Sequence, residues 1–233
     1  MNAFRPVAAA AWSLAVMAVT AAVQLGYSDY YLRQTTGSGM SLRSAHAAAV
    51  NGDLVAISGV IAMAAGLLAL FTIVLEHNVP LAVQFPPDSD RRNLLRWLGI
   101  TLAAVAALDG VMWLARGHIA GPPELERYRA AMSPVLPWFA AIVVTPLFDE
   151  ALFRGFLLPP LAASAPGRSG AVAIAAVIPA VAHAYDDPWR LASLVVLGCL
   201  YGAARLGTGS LAIPFAMHVL ANVLAMAATA WIR

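Results

Sequence analysis

The stretch FDEALFRG, Phe148 to Gly155, places two carboxylates and an arginine within six residues, Asp149 to Arg154. Its flanks are apolar, AAIVVTPL before it and FLLPPLAA after it. Whether these charges lie in a soluble loop or interrupt a membrane helix decides the fold.

The composition answers for the membrane. The 233 residues are 61% hydrophobic and 11% charged, with a mean hydropathy of +0.76, whereas soluble domains run at about 45–50% apolar and about 25% charged. A spanning helix takes about 20 residues, so the chain has room for about seven spans, six to eight once loops are subtracted. The expected fold is an all-α, polytopic membrane bundle forming one compact domain, with little left for a soluble one.

Other classes recede on the same evidence. The net charge of +2 and the pI near 9.0 come from scattered arginines without the clustering that nucleic-acid binding requires, so no nucleic-acid partner is expected. No lysine occurs and alanine is abundant, a composition that points to a GC-rich bacterial genome and an inner-membrane location. Cys199 is the sole cysteine, which excludes an intrachain disulfide or a cysteine metal cluster and reads as a small buried hydrophobe. The apolar run from Val7 to Leu25 exceeds a signal-peptide core and reads as a retained first span.

Along the chain the expected spans are 7–26, 54–75, 97–114, 134–161, 170–185, 189–205 and 210–231. Tyr27, Tyr30 and Tyr31 anchor the end of the first span at the interface, and a polar connector is expected over 27–50. The loop residues Glu124, Glu126, Arg127 and Arg129 read as a solvated face. Pro146 predicts a bend one turn before Asp149, and the short connectors after residue 161 imply antiparallel neighbours. With the N-terminus inside, Arg205 and five other arginines fall in inside loops and seven fall opposite, which leaves the orientation open.

Ionisable groups at membrane depth cost about 2.5–3.5 kcal/mol on insertion scales, so they face a cavity or a partner. Here they are Asp109, Asp149, Glu150, Arg154, His183 and His218, with Asn222 beside them. Glu150 and Arg154 are four apart, acid first, and share a helix face, as do His218 and Asn222. Read singly, the first pair is also a structural ion pair, His183 an interfacial residue beside Asp186 and Asp187, and the second pair polar glue between helices.

Together they supply what peptide hydrolysis in a membrane needs: a base for water, donors for an oxyanion and a wet cavity. No serine or cysteine stands beside a base as a nucleophile, and no HExxH motif occurs. Two histidines with a carboxylate, His183 and His218 with Asp149 or Glu150, would also suit zinc with an open position. Asn222 suits an oxyanion better than zinc, which favours a metal-free reaction.

These motifs resemble the CAAX-protease and bacteriocin-processing (CPBP) intramembrane proteases, whose signature is EExxxR, FxxxH and HxxxN on three helices. The chain reads DEALFR, then PAVAH ending at His183, then LGTGSLAIPFAMHVLAN with His218 and Asn222. The resemblance covers about residues 133–231, a protease-like core preceded by N-terminal helices and loops over 1–132. It implies an endopeptidase acting on a membrane-associated or leader-peptide substrate. It puts the water-activating acid on Asp149, the second acid on Glu150 with its arginine on Arg154, the histidines on His183 and His218, and an oxyanion donor on Asn222.

The chain departs from the signature twice. Pro179 replaces the phenylalanine of the second motif, a matter of packing. Asp149 replaces the first glutamate with a side chain one methylene shorter, which touches the chemistry. The alternatives are a family member acting as a membrane scaffold or chaperone and, less favoured, a transporter, for which the chain shows no repeated half with broken helices.

Overall fold

The computed structural model describes residues 5–49, 52–79, 91–119, 135–183 and 187–231. Among these, the chain forms eight helices and no strand: α1 (Pro6–Gly37), α2 (Leu42–Ala49), α3 (Gly52–Glu76), α4 (Arg91–Arg116), α5 (Val135–Ala162), α6 (Gly167–Ala182), α7 (Pro188–Thr208) and α8 (Ala212–Trp231). Helices α1, α3, α4, α5 and α7 are long and apolar enough to cross a membrane. The apolar α6 and α8 are shorter; the 16 residues of α6 rise only about 24 Å, less than a hydrocarbon core. Seven apolar helices in all agree with the expected polytopic bundle. The chain is an integral multi-pass membrane protein.

Local chemistry explains the helix ends around the later motifs. Pro188 opens α7, where a missing N–H costs nothing, and the Asp187 side chain caps it by accepting from the Trp189 N–H. Gly209 closes it with φ +73°, a left-handed turn that glycine makes without strain.

Two boundaries differ from the sequence reading. Helix α1 runs through Tyr27, Tyr30 and Tyr31 to Gly37, and α2 follows, so most of the expected connector is helical. Side chains of Ser28, Thr35 and Thr36 bond carbonyls three or four residues back, so the polar stretch is satisfied within the helix itself. Helix α7 continues to Thr208, which places Arg205 in a buried helical position and not in a loop. The residues Glu124, Glu126, Arg127, Arg129 and Asp186 lie outside the described residues.

Helix α5 is the most buried of the five long spans and touches α1, α3, α6, α7 and α8. Its backbone is irregular where the sequence places a bend: π-helical turns over Ala140–Val144 and Glu150–Leu157 flank the α-helical turn Thr145–Asp149 that holds Pro146. Wide turns of this kind are common at functional sites. Each π segment has a backbone carbonyl claimed by another helix, Ala141 O by Asn222 and Arg154 O by Arg205.

The bundle is packed in one half and hollow in the other. Ala9, Leu70, Val74, Phe156, Leu161 and Ala171 join a core drawn from the start of α1, the end of α3, the end of α5 and the start of α6. The opposite half holds a cavity of about 610 Å³. Its walls include Gln24 late in α1, Val55 early in α3, Met112 late in α4, Ala141 early in α5, His183 at the end of α6, Arg190 early in α7 and Met226 late in α8. In an up-and-down bundle these are the same end.

Candidate active site

Helix α5 presents Ala141, Thr145, Phe148 and Asp149 to the cavity, a spacing that keeps them on one face. The next residue is rotated by about 100°, and Glu150 is absent from the lining. Asp149 is thus the carboxylate of the pair that meets the cavity, and Glu150, 1% exposed, lies behind it.

Glu150 is an anchor. Its Oε1 accepts from the Arg154 guanidinium at 3.1 Å and from His218 Nδ1 at 2.9 Å, while Oε2 is buried and accepts no hydrogen bond. Arg154 also donates to the Gly198 carbonyl at 3.0 Å and lies 5.4 Å from the centroid of the Tyr201 ring. Tyr201 in turn stacks on His218, with centroids 5.2 Å apart and planes 26° apart. Helices α5, α7 and α8 therefore meet on one charged cluster whose acid and base are both desolvated, the condition under which such pairs are costly to break.

Small residues make room for it. A Cβ on Gly198 would stand 3.0 Å from the Ala176 Cβ and 3.1 Å from Arg154 Nη2, so only glycine lets α7 approach α6 while leaving its carbonyl open to Arg154.

His183 caps the C-terminus of α6. Its Nδ1 bonds the Pro179 carbonyl at 2.7 Å; because a carbonyl only accepts, Nδ1 carries the proton and proton exchange falls to Nε2. His218 donates from Nδ1 to Glu150, which again leaves Nε2 for chemistry. Asn222 donates from Nδ2 to Ala141 O at 2.7 Å, and the second hydrogen on the same nitrogen remains for a ligand.

The structure brings Asp149, His183, His218 and Asn222 to one cavity wall system, with both histidines within Coulombic reach of Asp149. Arg154 and Asp109 line the same cavity. Among the described residues, no group of three or more His, Cys, Asp or Glu side chains is arranged to hold a metal ion.

Sequence reasoning missed Tyr201, Gly198 and Arg205. Arg205 is buried, donates from Nε to the Arg154 carbonyl at 3.3 Å and also bonds the Gly209 carbonyl. The signal was present: Gly198, Tyr201 and Arg205 recur at three- and four-residue spacing on α7 and mark one face.

Outside the membrane-depth site, Arg116 at the end of α4 holds Asp187 at 2.6 Å, and Arg190 stands 3.7 Å from the same carboxylate oxygen. The Arg116 hydrogen bond, with smaller help from the Trp189 N–H and nearby positive charge, keeps the Asp187 carboxyl below the usual carboxylate range.

Comparison with known families bears out the resemblance. Residues 131–224 match the family model described as Rce1-like, type II CAAX prenyl endopeptidase Rce1-like. The matched span contains all three motifs, and its family is one of proteases. No curated protein and no solved structure matches the chain.

Proposed function

We propose, taking as premise that residues 131–224 are those of a CAAX-type endopeptidase, that this protein hydrolyses a peptide bond of a membrane-associated or leader-peptide substrate inside the cavity, with water activated by Asp149. The observation that carries the reading is that Asp149, and not Glu150, faces the cavity with His183, His218 and Asn222.

In this mechanism Asp149, assisted by His183, takes a proton from water as its oxygen adds to the scissile carbonyl carbon. His218 Nε2–H and the second Asn222 Nδ2–H hold the developing oxyanion, a contribution that grows in a site shielded from water. Donation from both ring nitrogens requires His218 as imidazolium. Its charge and that of Arg154 then balance Glu150 and Asp149, so the cluster is neutral overall. Collapse of the intermediate breaks the C–N bond as the proton passes to the departing amine nitrogen, giving a carboxylate and an amine.

Glu150, Arg154 and Tyr201 act as positioning residues for His218.

The test compares the membrane proteomes of a wild-type and an Asp149→Asn strain for precursors that stay uncleaved, followed by cleavage of the precursor with purified protein. Asp149→Asn, His183→Ala and His218→Ala are each expected to abolish cleavage while the protein still inserts. Cleavage retained by Asp149→Asn overturns the reading; cleavage by no form of the protein, with the substrate bound, favours the scaffold alternative.

A further inference from the structure

One cation in the cavity has no role in this chemistry. Arg190, in the first turn of α7, lines the cavity, and its Nε is buried without a hydrogen-bond acceptor. The side chain is 14% exposed. Its charge is only loosely matched: among the described residues Asp187 is the carboxylate within ion-pair distance, at 3.7 Å, and the same oxygen takes the 2.6 Å bond from Arg116. One acid thus serves two guanidinium groups. Arg154, the other arginine of the cavity wall, differs, being paired with Glu150 and the Gly198 carbonyl.

Arg190 also begins a continuous strip. Arg190, Ser193, Leu194, Leu197, Gly198 and Tyr201 all line the cavity, at the three- and four-residue steps that mark one helix face. The strip runs from the hollow end of the bundle inward to Tyr201, which stacks on His218. Eleven residues of helix rise about 16 Å, and an extended peptide covers about 3.3–3.6 Å per residue. A peptide lying on the strip therefore spans about four to five residues between the level of His218 and Arg190.

A partly buried guanidinium with an unused, buried Nε–H is a receptor for a planar anion, since its fork matches a carboxylate and each unmade bond to it is costly. We infer that Arg190 is a specificity-determining residue that takes a carboxylate of the peptide substrate, from the chain terminus or from an acidic side chain, about four to five residues from the level of His218. The inference rests on the endopeptidase reading for what occupies the cavity. The strip between the two points is mostly apolar, so the favoured segment is apolar with an acid at its outer end.

The test is one of binding, kept separate from cleavage. Full-length protein carrying Asp149→Asn is placed in phosphatidylcholine nanodiscs with N-acylated hexapeptide pools randomised at the last four positions. The pools are made as free acids, as carboxamides, and as carboxamides with glutamate last. Free acids are expected to be retained about 10-fold or more over plain carboxamides; Arg190→Gln removes that preference and Arg190→Lys keeps part of it. The glutamate pool reads the source: retention equal to the free acids assigns a side-chain carboxylate, and retention only of the free acids assigns the terminus.

Equal retention of acids and amides, retention of neither, or a preference untouched by Arg190→Gln overturns the inference. So does loss of the preference when phosphatidylglycerol replaces phosphatidylcholine, which assigns Arg190 to lipid headgroups. Cleavage of the pools by the otherwise wild-type protein without an Arg190-dependent preference sinks the inference and leaves the endopeptidase reading standing; the preference without cleavage does the reverse.

Discussion

Glu150 Oε1 stands 2.9 Å from His218 Nδ1, a bond between α5 and α8 made on the same oxygen that takes Arg154 at 3.1 Å. It makes the second acid of the motif a support for a histidine and leaves the first acid to face the cavity.

Removing one member of that cluster exposes the others. Arg154→Met strands the Glu150 carboxylate in a 1% exposed position and is expected to destabilise the protein by about 3–5 kcal/mol. Adding Glu150→Gln to it should recover part of the loss. Equilibrium unfolding in mild detergent measures both, and equal stability of Arg154→Met and wild type would contradict the anchor role.

The two neighbouring acids should separate in their effects. Asp149→Asn is expected to remove cleavage with little change in unfolding temperature, because among the described residues no hydrogen bond depends on its side chain. Glu150→Gln should lower both stability and rate through His218. Asp149→Glu shifts the carboxylate by one methylene, and displacements of ~1 Å cost about 100-fold in rate. A gain of activity on Asp149→Glu would instead mark a site impaired by its aspartate.

Asn222→Asp keeps the shape of the side chain and removes both N–H donors. It should cost about 100- to 1,000-fold in kcat, the usual loss for one oxyanion donor. It also breaks the 2.7 Å bond to Ala141 O. Asn222→Gln, able to keep one of the two contacts, serves as the comparison; a kcat unchanged in Asn222→Asp would exclude the oxyanion role.

Gly198→Ala brings a methyl group to 3.0 Å from the Ala176 Cβ and 3.1 Å from Arg154 Nη2. Overpacking of this kind costs about 1–3 kcal/mol. The variant should unfold earlier and, by displacing Arg154, lose activity beyond what its stability explains, which a rate measured well below its unfolding temperature would reveal.

The Asp187 carboxyl is held below its usual range by Arg116, so its ion pair stabilises the folded state above the unfolded carboxylate pKa of about 3.9. That contribution is lost as pH falls through the lower folded value. The pair is partly exposed, with side chains 29% and 21% accessible, and is expected to contribute less than about 1 kcal/mol. Unfolding of wild type and Asp187→Asn between pH 6 and pH 3 should converge at the acid end; curves that stay parallel would remove the Arg116 bond from the stability of the loop.

What the sequence determined by itself follows from local rules. Apolar runs near membrane length fix helices, and Glu150 and Arg154 four apart fix an ion pair. Each depends on neighbours within a few residues, and each is found as read. The motifs likewise selected Asp149, Arg154, His183, His218 and Asn222, which line the cavity, and Glu150, which lies behind it.

Which way each side chain faces was a matter for the tertiary structure. Asp149 and Glu150 are adjacent acids, and only the docking of α8 and α7 against α5 gives one to the cavity and the other to His218. Arg205 looked like a loop residue because nothing local shows that α5 would widen into a π turn and offer the Arg154 carbonyl to it. Burial, orientation and shared partners are properties of contacts far apart in sequence, Arg154 and Gly198 being 44 positions apart and Glu150 and His218 68, and periodicity along one helix carries no information about them.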